Sequence, residues 1–551
     1  MWLFRTCRGF LRDLLFENCT STDSAPQMSG RAPFYVRIRP RAPLSSEVAW
    51  YGCGIEGKTM SDVSTALRAV EDVLRTANLL TEVRGSEDIF VRGVSQDSRT
   101  VAADDLFLAW TGVDSDAHDY VSNAVADGAI AAVVERPVDV DVPQLVVRDG
   151  RRAAAIAADV VLGSPSAEMT LVGITGTNGK TTTSRLVQHL VASEQKAAVI
   201  GTLGLLQVDG VRPGTEGLTT PGPVLLTQWL RELADAQYEV VIVEASSHAL
   251  AQHRLDGVAF DVAVFTNLSQ DHLDYHGGMA AYRAAKLGLI DLVSGEGTLV
   301  VNADDEAWEG IQTGGRRVVT YSTNGPADVW AREIVLAPSG SRFILTVSAD
   351  EFEVHLPLVG GYNVENALAA AAAAIAVGLS PALAAERLAR APQVAGRLET
   401  VVREPFHVVI DFAHTPAALS GALRALRPLT DGRLIVLFGA GGDRDRTKRK
   451  PMAEAVARVA DVAVLTSDNP RTEDPDAIID DLAEGMGGME FVRMTDRRAA
   501  IRAALEVARP GDTVVLAGKG HERYQVIGTE KQPFDEAAIS RDALRELGVL
   551  G

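Results

Sequence analysis

Residues 173–183 have the composition of a phosphate-binding loop. They read Gly-Ile-Thr-Gly-Thr-Asn-Gly-Lys-Thr-Thr-Thr and lie between the apolar residues 171–172 and a helical pattern over residues 185–191. In such loops backbone N–H groups and the start of the helix hold phosphates, the lysine reaches the outer phosphates, and a hydroxyl group can bind Mg²⁺. The strict Walker pattern requires a glycine where this chain has Ile174, so the loop departs from it by one residue. The loop predicts an ATP site whose residues are Gly176, Thr177, Asn178, Gly179, Lys180, Thr181 and Thr182.

Two further positions could bind metal ions beside that loop. Glu244 follows the apolar run 240–243, and a carboxylate at the end of a strand is suited to hold Mg²⁺ against ATP oxygens. His272 lies in the polar segment 266–274, after the apolar run 262–265, and its imidazole could bind a second metal ion. A lone histidine is more often a core or surface residue, so the chemistry alone leaves that role open.

Alternating strands and helices must position these groups. A helical pattern starts near Met60, and short apolar runs bounded by polar or glycine-rich loops recur along the rest of the chain. The predicted strands lie at 89–91, 106–109, 131–134, 145–147, 171–172, 240–243, 262–265, 298–301, 408–410, 434–438, 462–465 and 513–516.

This alternation predicts an α/β protein of three domains. We expect a small α/β domain at 60–167, a central parallel-sheet domain with the phosphate loop at 168–395, and a Rossmann-like domain at 396–551. Ligands of such sheets bind beyond the carboxyl ends of the strands. The polar segments described above occupy those positions.

Composition restricts the classes of partner. The chain has 551 residues, a formal net charge of -20 and a sequence pI near 5.0. This balance argues against nucleic acid and anionic membranes as partners, because both require a basic surface. No run of about 18 apolar residues occurs, so no integral membrane segment is expected. The cysteines Cys7, Cys19 and Cys53 are too few for a disulfide framework, which fits a reducing cytoplasm.

Residues 1–59 differ in composition from the rest of the chain. They hold all the cysteines and an arginine- and proline-rich cluster at 37–43, with no clear periodicity. We expect a disordered extension, or an over-extended start upstream of a native first residue at Met28 or Met60. A genuine tail is the alternative.

Several segments resemble the ATP-dependent Mur ligases of peptidoglycan synthesis and the related folylpolyglutamate synthases. The loop motif Gly-Thr-Asn-Gly-Lys-Thr-Thr is shared with them, and further motifs follow in every predicted domain. The resemblance implies that His272, within Asp-His-Leu-Asp, binds a metal ion, and that Lys286, after Ala284-Ala285, is carbamylated and also binds one. From its chemistry alone Lys286 would be an ordinary lysine on a helix surface. The implied catalytic residues are Lys180, Glu244, His272, Lys286 and Arg397, and the implied metal ligands are Thr181, Glu244, His272 and Lys286 as N6-carboxylysine.

The resemblance extends to the rest of the nucleotide site. Amide side chains suit a nucleobase because they both donate and accept hydrogen bonds. The family commonly has an arginine where this chain has Gly361, so no contact of that arginine is carried over. Arg397 would reach the γ-phosphate from the third domain, which implies that this domain closes for catalysis. Besides the loop, the implied nucleotide ligands are Asn302, Asn363, Asn366, Arg397, Asp411 and His414.

The acceptor implied by the resemblance is UDP-N-acetylmuramoyl-L-alanyl-D-glutamate, bound between the first two domains. The triplet 97–99, Asp-Ser-Arg, resembles the segment of the family that binds uridine diphosphate. Each short match is weak by itself, and their order along the chain is the stronger argument. The implied acceptor-binding residues are Ser98, Arg99, Thr219, Thr220, Ser246, Gln252 and Arg254.

The run 468–471, Asp-Asn-Pro-Arg, resembles the signature of family members that add meso-diaminopimelate. An arginine there can hold the distal carboxylate of that amino acid through two charge-assisted hydrogen bonds, and lysine, which lacks this carboxylate, would leave it unpaired. In isolation the run could be merely a turn. The segment 517–522, Ala-Gly-Lys-Gly-His-Glu, would complete the pocket, with Glu522 suited to the distal ammonium. The implied pocket residues are Arg444, Asp468, Asn469, Arg471, Gly518 and Glu522.

The resemblance implies an ADP-forming ligase with ATP and Mg²⁺ as cofactors, which acts in the cytoplasm as a monomer, beside other cell-wall enzymes. The D-glutamate carboxylate would attack the γ-phosphate of ATP, and the amine of diaminopimelate would then displace phosphate; no residue is assigned as the base for this amine. A lysine-adding ligase of the same fold is disfavoured by Arg471, and a folylpolyglutamate synthase by the 97–99 triplet. A catalytically silent scaffold is disfavoured by the joint presence of Lys180, Glu244, His272 and Lys286.

Overall fold

The computed structural model describes residues 64–86, 88–112, 115–214 and 217–550. Three main sheets of five, eleven and six strands follow one another along the described chain and carry helices, which confirms the predicted α/β fold of three domains. The expectation for residues 1–59 lies outside the described residues. None of the helices in the described part of the chain is both long and apolar enough to cross a bilayer.

A five-stranded sheet forms the N-terminal domain. Its elements are β1 (Thr65–Ala66), α1 (Leu67–Thr76), β2 (Leu80–Arg84), β3 (Phe90–Val91), β4 (Gly93–Ser95), β5 (Asp105–Leu108), α2 (Val121–Ala126), β6 (Ala129–Val134), β7 (Gln144–Val147) and α3 (Gly150–Val161). The strand order is β2-β7-β6-β5-β4, with β2 antiparallel to β7 and the others parallel, while β1 and β3 pair separately. Leu67, Val70 and Leu74 recur at helical spacing and are fully buried, so α1 packs its apolar face inward.

An eleven-stranded sheet forms the central domain. Its elements are β8 (Thr170–Thr175), α4 (Lys180–Val191), β9 (Ala197–Gly201), β10 (Gly204–Gln207), β11 (Gly210–Arg212), α5 (Pro223–Asp235), β12 (Val240–Glu244), α6 (Ser247–Ala251), β13 (Phe260–Phe265), α7 (Leu273–His276), α8 (Met279–Asp291), β14 (Val293–Asn302), β15 (Arg317–Ser322), β16 (Val329–Ala337), β17 (Gly340–Val347), β18 (Asp350–Leu356), α9 (Gly361–Ala376) and α10 (Pro381–Leu388). The order is β11-β10-β9-β12-β8-β13-β14-β15-β16-β17-β18.

The central sheet is parallel from β9 to β16 and antiparallel at both edges. The parallel strands predicted from apolar runs are covered on both faces, which is why those runs are continuous. The parallel strands β9, β15 and β16 and the antiparallel strands β10, β11, β17 and β18 were not predicted, and the sheet is mixed rather than purely parallel. Helix α9 packs on α4 through its alanine run 367–374, whose small buried side chains allow a close approach. This contact supports the helix that begins at the phosphate loop.

A six-stranded sheet forms the C-terminal domain. Its elements are β19 (Glu399–Val402), β20 (His407–Asp411), α11 (Pro416–Leu426), β21 (Leu434–Phe438), α12 (Arg449–Ala457), β22 (Val462–Leu465), α13 (Pro475–Ala483), β23 (Phe491–Arg493), α14 (Arg497–Val507), β24 (Thr513–Ala517), β25 (Tyr524–Ile527), β26 (Glu530–Pro533) and α15 (Glu536–Glu546). The order is β19-β20-β24-β21-β22-β23, with only β19 antiparallel, and β25 and β26 form a separate hairpin. Candidate site residues follow β20, β22 and β24 at their carboxyl ends, as expected for such a sheet.

Candidate active site

The phosphate loop connects a buried strand directly to a helix. It follows β8, and α4 begins at Lys180, immediately after Gly179. Gly176 and Gly179 have φ values of 144° and 87°, and a β-carbon there would overlap the side chain of Thr266 or Asn366, respectively. Only glycine fits both positions. The loop can therefore turn tightly ahead of the helix start, as a phosphate site requires.

The Lys180 ammonium folds back over this loop. Its Nζ donates to the carbonyl oxygens of Gly176 at 2.8 Å and Thr177 at 3.0 Å. Loss of hydration lowers the pKa of Lys180, the Glu244 carboxylate opposes this shift, and the Arg397 guanidinium adds to it. The C-terminal domain thus brings a second cation towards the loop. Together the two cations can stabilise the phosphates of a nucleotide.

Glu244 is buried at the end of β12, and its carboxylate accepts three hydrogen bonds. The Oγ1 atoms of Thr181 and Thr202 each donate at 2.9 Å, and the backbone N–H of Thr202 donates at 3.1 Å. The Glu244 carboxylate and the Thr181 hydroxyl lie together where the phosphate loop enters α4. These oxygen donors fit Mg²⁺, which is typically bound by one or two carboxylates together with substrate phosphates.

Lys286 lies on α8 and is almost completely buried, at 1% exposed, unlike a lysine on a helix surface. Its Nζ donates to the carbonyl oxygen of Gly176 at 2.7 Å and lies 4.4 Å from the ring centroid of Tyr282. Burial, with a smaller effect of Lys180, lowers the pKa of Lys286 to about 6. Burial thus favours the neutral amine, which is the form that reacts with carbon dioxide.

His272 immediately precedes α7 in a left-handed conformation, with φ of 51°, and its side chain is 49% exposed. Its ring lies 4.6 Å from that of His248, which also contacts Tyr275 and His276. Within the described ranges, no group of three His, Cys, Asp or Glu side chains is arranged to hold a metal ion. A metal-binding role of His272 therefore stays a prediction, and the fit of Mg²⁺ rests on Glu244 and Thr181.

A cleft of about 440 Å³ lies at the carboxyl ends of β13, β14 and β15. It adjoins the phosphate loop, because Asn267 in its wall accepts a hydrogen bond from the backbone N–H of Asn178 at 2.9 Å. Burial and the nearby acidic residues raise the pKa of Glu365 to about 7. The cleft is the natural place for the nucleoside of a nucleotide whose phosphates occupy the loop. Its walls are formed by Asn267, Asn302, Asp304, Asp305, Glu306, Thr323, Asn324 and Glu365.

Of the three asparagines predicted for the nucleotide outside the loop, only Asn302 lines this cleft. Asn363 and Asn366 are buried on α9. Asn363 donates to the carbonyl oxygen of Val359 at 2.8 Å, and Asn366 donates to Asn363 at 3.1 Å and accepts from Thr183 on α4 at 3.4 Å. Asn366 thus joins α9 to α4, the helix that begins at the phosphate loop, and Asn363 supports Asn366. Their role as nucleotide ligands stays a prediction.

Arg397 enters from the C-terminal domain. Its guanidinium carbon lies 5.1 Å from the ring centroid of Phe412, and its buried Nε finds no hydrogen-bond partner among the described residues. Asp411 shapes this segment by accepting from the backbone N–H groups of Leu398 at 2.8 Å and Ala413 at 2.9 Å. An arginine with an unused buried donor is suited to an anionic ligand.

His414 and His521 flank the same aromatic ring. The ring of Phe412 lies 4.5 Å from that of His414 and 4.8 Å from that of His521. Nδ1 of His414 lies 2.8 Å from the carbonyl oxygen of Phe412. Burial, together with Arg397 and His414, lowers the pKa of His521 to about 4. The structure therefore gathers Arg397, Asp411 and His414 as the sequence predicted.

Most of the residues predicted to bind the UDP-linked acceptor substrate form one hydrogen-bonded group. Thr220 donates to the Glu244 carbonyl oxygen at 2.6 Å, and its Oγ1 lies 3.1 Å from that of Ser246. Arg254 donates to the Thr220 carbonyl oxygen at 2.9 Å and to Gln252 at 2.6 Å. The Oγ1 atom of Thr219 lies 3.4 Å from that of Thr202, whose hydroxyl donates to Glu244. The residues predicted to bind the acceptor substrate are thus hydrogen-bonded to those predicted to bind the phosphates and the metal ion.

Ser98 and Arg99 lie apart from this group, in the N-terminal domain. The side chain of Arg99 is 86% exposed and donates to Asp97 at 2.6 Å. Gln96 approaches the central domain, since a β-carbon on Gly222 would lie 3.3 Å from its Nε2 atom. The triplet 97–99 therefore follows a contact between the first two domains, where the acceptor was predicted to bind.

The predicted amino-acid pocket brings together residues from two loops. Asn469, after β22, donates to Oε2 of Glu522, after β24, at 2.9 Å. Asp468 is buried, and Gly518 packs so closely on its carboxylate that a side chain would not fit there. Arg471 donates to the Gly442 carbonyl oxygen at 2.7 Å. The carboxylates and the arginine that were predicted to bind a diamino dicarboxylic acid thus lie around one region.

Arg444 borders the same region. A β-carbon on Gly441 would lie 3.1 Å from the Arg471 guanidinium and 3.8 Å from Arg444 Cγ. Arg444 itself is exposed, and among the described residues its side chain makes only a long hydrogen bond of 3.4 Å, to the Asp443 carbonyl oxygen. It is therefore free to move towards an anionic ligand.

Sequence reasoning missed four residues of this site: Thr202, Asn267, Glu365 and Lys519. Asn267 lies two residues after the end of the predicted strand β13, so the strand-end rule could have found it, whereas Thr202 follows β9, a strand that was not predicted. Glu365 carries no local signal, because the acidic residues beside it, Asp304 and Asp305, are distant in the sequence. Lys519 lies in the predicted pocket segment 517–522, but its contacts with Asp468 and Asn469 have no local signal.

Three family models match consecutive parts of the chain. The catalytic domain of the Mur ligase family matches residues 90–168, the Mur ligase middle domain matches residues 174–374, and the Mur ligase glutamate ligase domain matches residues 396–520.

Several relatives of this chain carry the description UDP-N-acetylmuramoyl-L-alanyl-D-glutamate--2,6-diaminopimelate ligase. The relative from Geobacillus thermodenitrificans is 43% identical over 474 residues, which cover 84% of this chain and 96% of that protein. The relative from Geobacillus kaustophilus is 42% identical over 476 residues, with 84% and 96% covered. A solved structure of that description is 32% identical, covers 88% of this chain and all of its own, and superposes with a TM-score of 0.65. This chain belongs to the Mur ligase family.

Proposed function

We propose that this chain is an ATP-dependent ligase that joins meso-diaminopimelate to the D-glutamate γ-carboxylate of UDP-N-acetylmuramoyl-L-alanyl-D-glutamate, in the synthesis of peptidoglycan precursors. Relatives that are 40–43% identical to it over most of its length are described as ligases of this kind. The proposal places the enzyme in the cytoplasm, as a monomer working beside other cell-wall enzymes.

One observation carries the reaction type. The residues predicted for the nucleotide, the metal ion and the acceptor form one connected group, in which Glu244 accepts from Thr181 through its carboxylate and from Thr220 through its backbone carbonyl. A phosphoryl group held at Thr181 and a carboxylate held near Thr220 would therefore meet at Glu244. This arrangement supports transfer of phosphate from ATP to the acceptor carboxylate.

The first step is attack of the D-glutamate γ-carboxylate on the γ-phosphorus of ATP. The bond between the β,γ-bridging oxygen and the γ-phosphorus breaks, and the products are an acyl phosphate and ADP. Lys180 and Arg397 stabilise the charge of the transferring group from opposite domains. Glu244 and Thr181 would hold Mg²⁺, which neutralises phosphate charge when bound.

The second step is attack of the diaminopimelate amine on the acyl phosphate, which forms the amide and releases phosphate. Arg471 and Arg444 would bind the distal carboxylate, and Glu522 would bind the distal ammonium. Closure of the C-terminal domain over the nucleotide would keep water from the acyl phosphate. The base that removes the proton of the amine remains unassigned.

Lys286 in this proposal becomes an anionic carbamate. Its burial and its 2.7 Å contact with the Gly176 carbonyl oxygen support that role, since a carbamate there would place a negative group beside the phosphate loop for a divalent cation. We expect the protein equilibrated with ¹³C-bicarbonate to give a carbamate carbon signal in NMR. The signal should be lost in Lys286→Ala and kept in Lys196→Ala, a change at an exposed lysine of the same domain. An equal signal from all three proteins would assign the carbamate to another amine.

The function itself is tested by phosphate release from the purified full-length protein. With ATP, Mg²⁺ and UDP-N-acetylmuramoyl-L-alanyl-D-glutamate present, we expect turnover with meso-diaminopimelate and little with L-lysine, because lysine leaves Arg471 unpaired. A preference for lysine would support the ligase activity but contradict the proposed role of the Arg471 pocket. If a folded sample that binds ATP released no phosphate with either amino acid, the alternative of a catalytically inactive scaffold would be favoured.

A further inference from the structure

Lys519 is a buried ammonium whose role no prediction above assigns. It lies directly after β24, in the segment 517–522, and its side chain is fully buried. A buried ammonium is stable only when charged or polar partners replace its hydration. Three side chains do so here, and each belongs to the proposed amino-acid pocket.

The contacts of Lys519 are specific in their atoms. Its Nζ donates to Oδ1 of Asn469 at 2.8 Å and to Oε2 of Glu522 at 3.1 Å, and lies 3.5 Å from Oδ1 of Asp468. The Asn469 side chain closes this group, because its Nδ2 also donates to Oε2 of Glu522 at 2.9 Å. Lysine and asparagine therefore hold the same carboxylate oxygen of Glu522.

The other oxygen of Glu522 is left for a ligand. Oε1 accepts no hydrogen bond from any residue in the described part of the chain, and the side chain is 22% exposed, so a ligand can reach it. A carboxylate with one oxygen fixed by two donors has a defined orientation. The second oxygen can then accept from an incoming ammonium without first losing rotamer freedom.

Lys519 is not needed to join the two strands at this edge. Arg497, also fully buried, already donates to the carbonyl oxygens of Ser467 at 3.3 Å and Ala517 at 2.9 Å, and pairs with Glu536 at 2.7 Å. These contacts link the ends of β22 and β24 independently of Lys519. The partners of Lys519 are instead the side chains that border the pocket.

We propose that Lys519 is a positioning and specificity-determining residue for the incoming amino acid. Its ammonium fixes Asp468, Asn469 and Glu522 in one arrangement and leaves Oε1 of Glu522 to bind the distal ammonium of the substrate. This inference rests on the proposed function, since it takes the pocket to be the site of a diamino acid.

The test compares the purified full-length enzyme with Lys519→Met, which keeps the length of the side chain and removes the charge. We expect the KM for diaminopimelate to rise about 10- to 100-fold, because charge-assisted contacts that orient the pocket are lost. The KM values for ATP and for the UDP-linked acceptor should stay at their wild-type values. Lys450→Met, at an exposed lysine on α12, is the matched control and should change none of the three constants.

Several outcomes would overturn the proposal. One is an unchanged KM for diaminopimelate in Lys519→Met, and another is a fall in kcat with all three KM values unchanged. If Lys519→Met does not fold, Lys519→Arg decides: it keeps the charge, but its planar group cannot make the same contacts in a fully buried space, so the KM for diaminopimelate should still rise. A wild-type KM in Lys519→Arg would then contradict the inference.

The proposed function and this inference fail differently. The proposed function is tested by the wild-type rate with diaminopimelate. The inference is tested by the ratio of variant to wild-type KM for whichever amino acid the wild-type enzyme accepts. A double variant adds a direct check of mechanism. In the background of Glu522→Gln, Lys519→Met should raise this KM much less than in the wild type, and an equal rise in both backgrounds would show that Lys519 does not act through Glu522.

Discussion

Substituting Lys180 with methionine is expected to lower kcat for phosphate release by about 10³-fold or more, because one of two cations that stabilise the transferring phosphoryl group is removed. Methionine keeps most of the apolar stem, so the loop should retain its packing. The ammonium that donates to the Gly176 and Thr177 carbonyl oxygens is lost. Steady-state phosphate release at saturating substrates measures the effect.

The matched control for this change is Lys196→Met. Lys196 is an exposed lysine of the same domain, and its Nζ donates to the Ala236 carbonyl oxygen at 2.7 Å. It should keep the wild-type kcat. If Lys180→Met turned over as fast as the control, Lys180 would have no part in phosphoryl transfer and the nucleotide site would have to be sought elsewhere.

The phosphate loop and the parallel strands β8, β12, β13 and β14 could be predicted because their signals are local, whereas the parallel strands β9, β15 and β16 were not predicted. Gly176, Gly179 and Lys180 lie within five consecutive residues, and strands such as β12 are continuous apolar runs because both faces are covered. The antiparallel strands β10, β11, β17 and β18 were not predicted. The edge strand β11 is exposed and the edge strand β18 mixes exposed and buried residues, whereas β10 and β17 are mostly buried but include glycine and polar residues. Their pairing follows from contacts that periodicity alone does not specify.

The residues of the candidate site also differ in whether the sequence carries a local signal for them. The burial of Lys286 depends on how α8 packs against the phosphate loop, and nothing in the α8 sequence distinguishes it from a surface lysine. Lys519 meets Asn469 from 50 positions away, so their contact has no local signature. Asn363 and Asn366 were predicted by resemblance alone, and the structure places them in the packing of α4 and α9. Chemistry-bearing residues could therefore be found from sequence more readily than the residues that hold them.

The backbone of the Arg471 loop is held independently of the arginine side chain. The Arg471 N–H donates to the Val526 carbonyl oxygen at 3.1 Å, and the Arg471 carbonyl oxygen accepts from Gly528 at 2.7 Å. Its φ of 51° is already strained for any residue with a side chain, so alanine adds no new strain. Arg471→Ala should therefore remove the guanidinium while leaving the loop in place.

Arg471→Ala is expected to lower the preference for meso-diaminopimelate over L-lysine by about 10²- to 10⁴-fold, because the variant no longer has the half-buried guanidinium that pairs with a distal carboxylate. The ratio of kcat/KM for the two amino acids measures this preference, and the KM for ATP should be unchanged. Arg458→Ala removes an exposed arginine paired with Glu454 in the same domain and should keep the wild-type ratio. If Arg471→Ala kept it too, discrimination would lie with Arg444 or Glu522, and the Asp-Asn-Pro-Arg run would be a structural turn.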